Sequence, residues 1–148
     1  MTYLEQIEEL YEKNPGFSAV VETIQRLKKN PRILNFSHHD LDGISSAFIL
    51  KRLFERKLGA KMVIRMPQHF KLWEETLVET LKQEGKFDLL VISDKGTFEY
   101  YDELLKHIDP IVIIDHHQLD GKPKNCVLFN PTVQSSDCLL YTSPSPRD

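Results

Sequence analysis

Apolar positions recur along this chain first at helical and then at strand spacing. Leu4, Ile7, Leu10 and Tyr11 form one stripe of a helix over Leu4–Lys13, which Asn14-Pro15-Gly16 ends by turn chemistry. A second helix is predicted from Ser18, a favoured N-cap residue, to Lys29, with Asn30-Pro31 as its stop. The pattern then changes. Ile33–Phe36 is a short apolar run, followed by a polar loop and a helix from Ile44 to about Leu58 that Gly59 closes. Ile44, Ala47, Phe48, Phe54 and Leu58 share one face of it, with Ile49 and Leu53 nearly opposite, and a helix apolar on two sides is expected to be buried. Lys61–Met66 alternates as a strand does, Leu72–Gln83 reads as a helix, Leu89–Ile92 as a buried strand and Phe98–Lys106 as a helix. After the break at Asp109-Pro110 comes Ile111–Ile114, the most apolar strand, and then Val127–Phe129, ended by Asn130-Pro131.

Continuous apolar strands alternating with helices predict an α/β fold, a Rossmann-like parallel sheet with helices on both faces, preceded by N-terminal helices. No internal repeat is visible. The expected organisation is a helical segment at 1–31, one domain at 32–137, and a tail at 138–148 with no helical or strand period that ends in a Ser-Pro run. That tail resembles translated adapter sequence, so the expectation is a non-native end on a chain whose natural form is longer.

Composition narrows the class only slightly. A chain of 148 residues, 41% hydrophobic, can bury one core. Charged residues make up 28% and the formal net charge is -3, so no global basic field signals nucleic acid. The basic clusters Arg26-Leu27-Lys28-Lys29, and Lys51-Arg52 to Arg56-Lys57, read as solvated helix faces, which neither supports nor excludes a polynucleotide partner. Met1 leads into an acidic amphipathic segment unlike a signal peptide, and no stretch approaches the roughly 20 apolar residues of a membrane span. Cys126 and Cys138 form neither a metal pair nor a disulfide framework. The expectation is a soluble cytoplasmic protein with no membrane partner.

The chemistry gathers at predicted strand ends, where open parallel sheets bind ligands. Phe36 is followed by Ser37-His38-His39-Asp40-Leu41-Asp42-Gly43, Ile92 by Ser93-Asp94-Lys95-Gly96, and Ile114 by Asp115-His116-His117. Carboxylates mixed with imidazoles suit manganese, magnesium, zinc or iron, and no thiolate favours a softer ion. Asp40 and Asp42, two apart in an extended loop, can both face one cleft and hold separate ions. Clustered carboxylates repel one another without cations, and two ions roughly 3.5–4 Å apart would offset that and neutralise charge on phosphate oxygens. Gly43 allows close backbone approach where a helix starts, its positive end facing the anionic site. Alone, Asp-x-Asp-Gly and His-His are weak signals; their order and context are more specific. His69 and His107, near predicted helix ends and without an acidic partner at ligand spacing, read as surface residues.

His38-His39-Asp40-Leu41-Asp42-Gly43, Ile92-Ser93-Asp94 and Asp115-His116-His117 resemble the first three motifs of the DHH phosphoesterase family, with Ser45-Ser46-Ala47 and Asn130-Pro131 strengthening the match. The resemblance runs from about Arg32 to Pro131 and is closest to RecJ-like nucleases. It implies that His38 and Asp40 bind a first metal, Asp42 and His116 a second, and that Asp94 bridges them. Asp115 would orient an imidazole, and His117 would contact the substrate phosphate; His39, at a variable position, would be structural. Two Mn2+ ions, or Mg2+, would activate a water for hydrolysis. The implied enzyme is a phosphodiesterase acting on single-stranded DNA or RNA, or a short oligonucleotide, as an exonuclease suited to DNA repair.

Alternatives within the resemblance are a small-molecule hydrolase of oligoribonucleotides, cyclic dinucleotides, pyrophosphate or polyphosphate, and a non-catalytic replication scaffold. A dinucleotide-binding module lacks its Gly-x-Gly-x-x-Gly turn here. Family members add a further acidic ligand in a fourth motif and a C-terminal substrate domain. Asp137 lies too close to the third motif to be that ligand, so the expectation is an under-coordinated second metal and little activity in this stretch.

Overall fold

The computed structural model describes residues 2–131. The expected tail at 138–148 and Asp137 lie outside the described residues. Helix α1 spans Tyr3–Lys13, with the Thr2 hydroxyl accepting from the Glu5 N–H at 3.1 Å. None of its residues is buried, so the Leu4-Ile7-Leu10-Tyr11 stripe stays outside the core, and α1 meets the next helix. That contact is carried by Tyr11, edge-on to Phe17 at 6.4 Å and donating its hydroxyl to Glu22 at 3.1 Å.

Helix α2 departs from expectation, spanning Pro15–Gln25 where Ser18–Lys29 was predicted. Asn14 does two jobs: its N–H closes α1 onto Leu10 O, and its side chain accepts from Phe17 N at 3.0 Å to open α2. Pro15 then occupies a first-turn position, where its missing N–H costs nothing. The Asn-Pro pair that reads as a break is therefore also a start, and Ser18 lies inside the helix, its hydroxyl donating to Pro15 O at 3.1 Å. The helix ends early because the chain must turn through Asn30, at φ 55°, into the sheet.

The sheet comprises β1 (Arg32–Ser37), β2 (Lys61–Arg65), β3 (Leu89–Ser93), β4 (Ile111–Ile114) and β5 (Val127–Phe129), all parallel in the order β2-β1-β3-β4-β5. Strand alternation divides the core. Leu34, Phe36, Leu90, Ile92, Ile111 and Ile113 pack on one face with Leu77 of α4 (Glu74–Glu84) and Tyr101 and Leu104 of a 3-10 helix (Glu99–Lys106). Ile33, Leu89, Val91 and Val112 pack on the other face with Val20 of α2 and Phe54 of α3 (Leu41–Leu58). The expected parallel sheet covered on both sides, with helices before it, is what forms.

Two features of α3 differ from the sequence reading. It starts at Leu41 and not Ile44, because Asp40 caps it. It is also not buried on two sides: Gly43, Ala47 and Phe54 are its only buried residues, while Leu41 (78% exposed) and Phe48 (53%), with Ile44, Ile49 and Leu53, face outward. Only one sheet lies beside it, and a single sheet covers a single face. Among the described residues no helix is long and apolar enough to cross a membrane.

The strand order places the site. From β1 the chain crosses through α3 to β2 on one side, then through α4 to β3 on the other. The connection out of β1 runs to β2 and the one out of β3 runs through the 3-10 helix to β4, in opposite directions, which opens a crevice beyond their carboxyl ends, where open α/β sheets bind ligands.

Candidate metal centre at the carboxyl rim of the sheet

At the end of β1 the backbone folds back on itself. A Cβ on Gly43 would sit 1.9 Å from His38 O, so no residue larger than glycine fits. The Ser37 hydroxyl donates to Gly43 O at 2.8 Å, and Gly43 N donates to Asp40 Oδ1, also at 2.8 Å. This cap holds the Asp40 carboxyl below the usual carboxylate range, aided by neighbouring His38 and by the positive end of α3. The second oxygen, Asp40 Oδ2, lies 2.9 Å from His38 Nδ1 without the alignment of a hydrogen bond. Two donors so close and unbonded suit a shared third partner.

At the end of β3 stands Asp94, in the left-handed region at φ 56° and 5% exposed. Strained backbone of this kind persists where its surroundings hold it and concentrates at functional sites. Here Asp94 N donates to Ile114 O at 3.0 Å, fastening the turn to β4. Oδ1 lies 2.8 Å from His116 Nε2, while Oδ2 is buried with no partner. Burial pushes the Asp94 carboxyl up, and the nearby Asp40 charge adds to this against the pull of His116. The two carboxyl groups thus have acidities moved in opposite directions, as expected of like charges sharing a small space.

At the end of β4 the Asp115 carboxylate is fully engaged. Oδ1 lies 2.6 Å from His117 Nδ1, and Oδ2 accepts from the Thr97 hydroxyl at 3.0 Å. Asn130 Nδ2 donates to His117 O at 2.9 Å, so the backbone and the ring of His117 are both held. With Nδ1 occupied by Asp115, Nε2 is the nitrogen left for other partners.

These loops lie far apart in sequence and converge in two groups. Donor atoms of His38, Asp40 and Asp94 lie within 4.8 Å of one another, as do those of Asp94, His116 and His117. Asp94 belongs to both. The first group contains every residue expected around a first ion. The second differs from expectation: Asp42 is exposed in the first turn of α3 and belongs to neither group, because helical geometry replaces the extended loop that would have turned it beside Asp40. His117 stands in its place, although its nearer nitrogen is taken by Asp115. His39 is exposed, its ring 4.8 Å from His38. His69 and His107 are exposed as expected, although His107 Nε2 meets Glu74 at 2.7 Å, a partner 33 positions away. An orphaned, buried carboxylate oxygen within an N/O donor set without thiolate fits a divalent ion of the manganese or magnesium kind.

Sequence reasoning gave no role to the residues supporting these loops. Phe70 is edge-on to His38 at 5.2 Å and to His117 at 5.1 Å, a wedge between the two groups. Lys95 is fully buried, donates to His69 O at 2.6 Å, and has its ammonium pKa lowered to about 8 by burial. The Tyr101 hydroxyl donates to Lys95 O at 2.8 Å and accepts from Leu72 N at 3.2 Å. Each of these contacts except that of Tyr101 with Lys95 joins residues more than 20 positions apart, and no local pattern announces them.

The family described as "DHH family, N-terminal domain" matches residues 32–143. Among solved structures, the chain is similar to one titled "Crystal structure of exonuclease RecJ bound to manganese", with a TM-score of 0.65 and 23% identity over 82% of this chain. The match covers 32% of that protein, so the chain corresponds to about a third of its length. Comparison with curated proteins gives no match.

Proposed function

The chain belongs to the DHH family, and on that premise we propose that it carries the metal-binding part of a phosphoesterase that hydrolyses phosphodiester bonds in single-stranded nucleic acid, as a RecJ-like exonuclease does. The observation that supports it most is Asp94: one buried carboxylate common to two donor groups, with one oxygen lacking any partner. His38, Asp40 and Asp94 would hold one ion, and Asp94 and His116 a second. Divalent ions there would offset phosphate charge and lower the pKa of a bound water.

The chain's own residues supply the rest. Asp40, capped by Gly43 N–H, stays ionised across the neutral range and keeps its ligand form. Asp115 fixes the His117 ring so that Nε2 can meet a phosphate oxygen, the carboxylate–imidazole arrangement that orients site histidines. The resemblance gives Asp42 to the second ion, and the Asp42 carboxylate, at the start of α3 beside Asp40, would need to turn inward to serve.

Manganese titration by calorimetry, then hydrolysis assays with manganese, test the proposal on the full chain. The expected result is saturable Mn2+ binding that Asp94→Asn reduces by about a hundredfold or more, since it removes a charge from both groups. Labelled single strands should be cut, and Asp94→Asn should leave them intact. Undiminished Mn2+ binding by that variant would remove the basis of the site. Turnover of pyrophosphate with no cutting of single strands would overturn the substrate.

A further inference from the structure

Between β2 and α4 the chain runs Met66-Pro67-Gln68-His69-Phe70-Lys71-Leu72-Trp73, without a single carboxylate. This loop leaves the carboxyl end of β2, the strand beside β1, and reaches across the rim, because Phe70 touches both His38 from the β1 loop and His117 from the β4 loop. It is held rigidly: Lys95 grips His69 O, Leu72 N donates to Tyr101, and the Leu72 side chain is buried. Its inner surface therefore belongs to the metal centre. Its outer surface carries two aromatic rings, of His69 and Trp73. His69 is exposed, and the Trp73 indole, 46% exposed, meets it edge-on at 5.5 Å.

Trp73 is an unexpected residue for its position. It is the N-cap of α4, where Ser, Thr, Asp or Asn would satisfy an open N–H, and it makes no side-chain capping bond. Helix stability thus gains nothing from an indole there, and leaving one half in water costs apolar exposure. Trp73 lies three positions after Phe70, at most about 11 Å of chain, so the indole lies within the reach of a nucleotide whose neighbouring phosphate sits at the metal centre. The adjoining charge also suits an anion. Lys71 Nζ lies 4.5 Å from the Tyr100 ring centre and 5.3 Å from that of Phe98, and the next carboxylate, Glu74, is paired with Lys106 and His107.

We propose that Trp73 and His69 form a stacking platform for a nucleobase of the single-stranded substrate, next to the phosphate bound at the metal centre. The assignment rests on the nucleic-acid reading above and deepens it. Bases stack on exposed aromatic side chains without regard to sequence, and a rigid platform loses little freedom when it binds. The small-molecule substrates pyrophosphate and polyphosphate carry no base and would gain nothing from it.

Trp73 is the only tryptophan in the chain, so its emission reports this site alone. The full chain would be titrated with an oligothymidylate and with an abasic deoxyribose-phosphate oligomer of equal length. Calcium would replace manganese, avoiding turnover and paramagnetic quenching, and binding of each oligomer would be followed independently by anisotropy of an end label. The oligothymidylate should shift and quench the tryptophan emission and bind about tenfold tighter than the abasic oligomer. Trp73→Leu should erase that tenfold preference while Mn2+ affinity stays at the parent value, and Trp73→Phe should retain most of it, which separates stacking from misfolding. Equal binding of the two oligomers with unchanged emission would overturn the platform and leave the nucleic-acid reading standing. Failure of both oligomers to bind would overturn the platform and the nucleic-acid reading together.

Discussion

The two sides of the metal centre are built by different means. On the β3–β4 side the carboxylates and Lys95 are buried and tethered: Asp94 in a left-handed turn, Asp115 fastened by Thr97 and His117, Lys95 gripping the loop above. On the β1–α3 side the carboxylates Asp40 and Asp42 are exposed, flanked by the uncovered Leu41, and placed by the helix start, where Gly43 approaches His38 O and its N–H caps onto Asp40. A helix start can aim a carboxylate without burying it, since the cap bond supplies the direction. A buried carboxylate needs partners to offset its lost hydration, and Asp115 has them on both oxygens while Asp94 has one on Oδ1 alone. One half of the pocket is thus set by buried side-chain contacts, and the other by the tight turn at Gly43 and its cap bonds.

If that contrast is right, the largest effect belongs to Gly43. In Gly43→Ala the added carbon meets a backbone carbonyl, which cannot rotate aside, so α3 or His38 must move. Urea denaturation should show a loss of about 3 kcal/mol, with Mn2+ affinity falling along with it. A variant of parent stability and parent affinity would show that the β1 side is not set by this contact. On the opposite side, Asp115→Asn keeps the shape and weakens the hold on His117. Ligand-orienting groups of this kind are worth about 10- to 100-fold in metal affinity or activity. The loss should appear in hydrolysis with little change in unfolding midpoint, and the imidazole nitrogen resonances of His117 should move. Unmoved resonances would break the comparison from that side.

The two sides also differed in how far the sequence disclosed them. Strands were legible because a parallel sheet covered on both faces requires unbroken apolar runs, and Leu89–Ile92 and Ile111–Ile114 have no other use. The site's strand-end residues followed from the same logic. Geometry at the helix start did not: Asp40 and Asp42 look equivalent as letters, yet one is a cap and the other a first-turn residue facing solvent. Asn14 was ambiguous for a related reason, since one residue both closes α1 and opens α2. The supports of the buried side were invisible, because Phe70, Thr97 and Tyr101 act across the fold and carry no local signature. Apolar periodicity in α3 misled, as it records which residues are hydrophobic and not how many neighbours are present to cover them.

The smallest effect tests how local the buried side's rigidity is. Asp102, in the 3-10 helix, accepts from three successive N–H groups, of Lys124, Asn125 and Cys126, at 2.6, 2.9 and 3.1 Å. This ties down the approach to β5, whose Phe129 O accepts from Asp115 N at 3.1 Å. Burial pushes the Asp102 carboxyl up, but the N–H groups outweigh it and bring it below its ordinary 3.8. Because the folded value is depressed, the unfolded chain binds the proton more readily. The stability Asp102 contributes is therefore full above pH 3.8 and is lost as pH falls through the folded value. Asp102→Ala should cost about 1–2 kcal/mol at neutral pH and converge with the parent in acid. Mn2+ affinity should hold, because Thr97 still fixes Asp115 directly. A parallel fall in affinity would mean that the order at Asp115 is transmitted from the β5 connection, and the contrast between the two sides would then lie in long-range packing and not in the side chains touching the site.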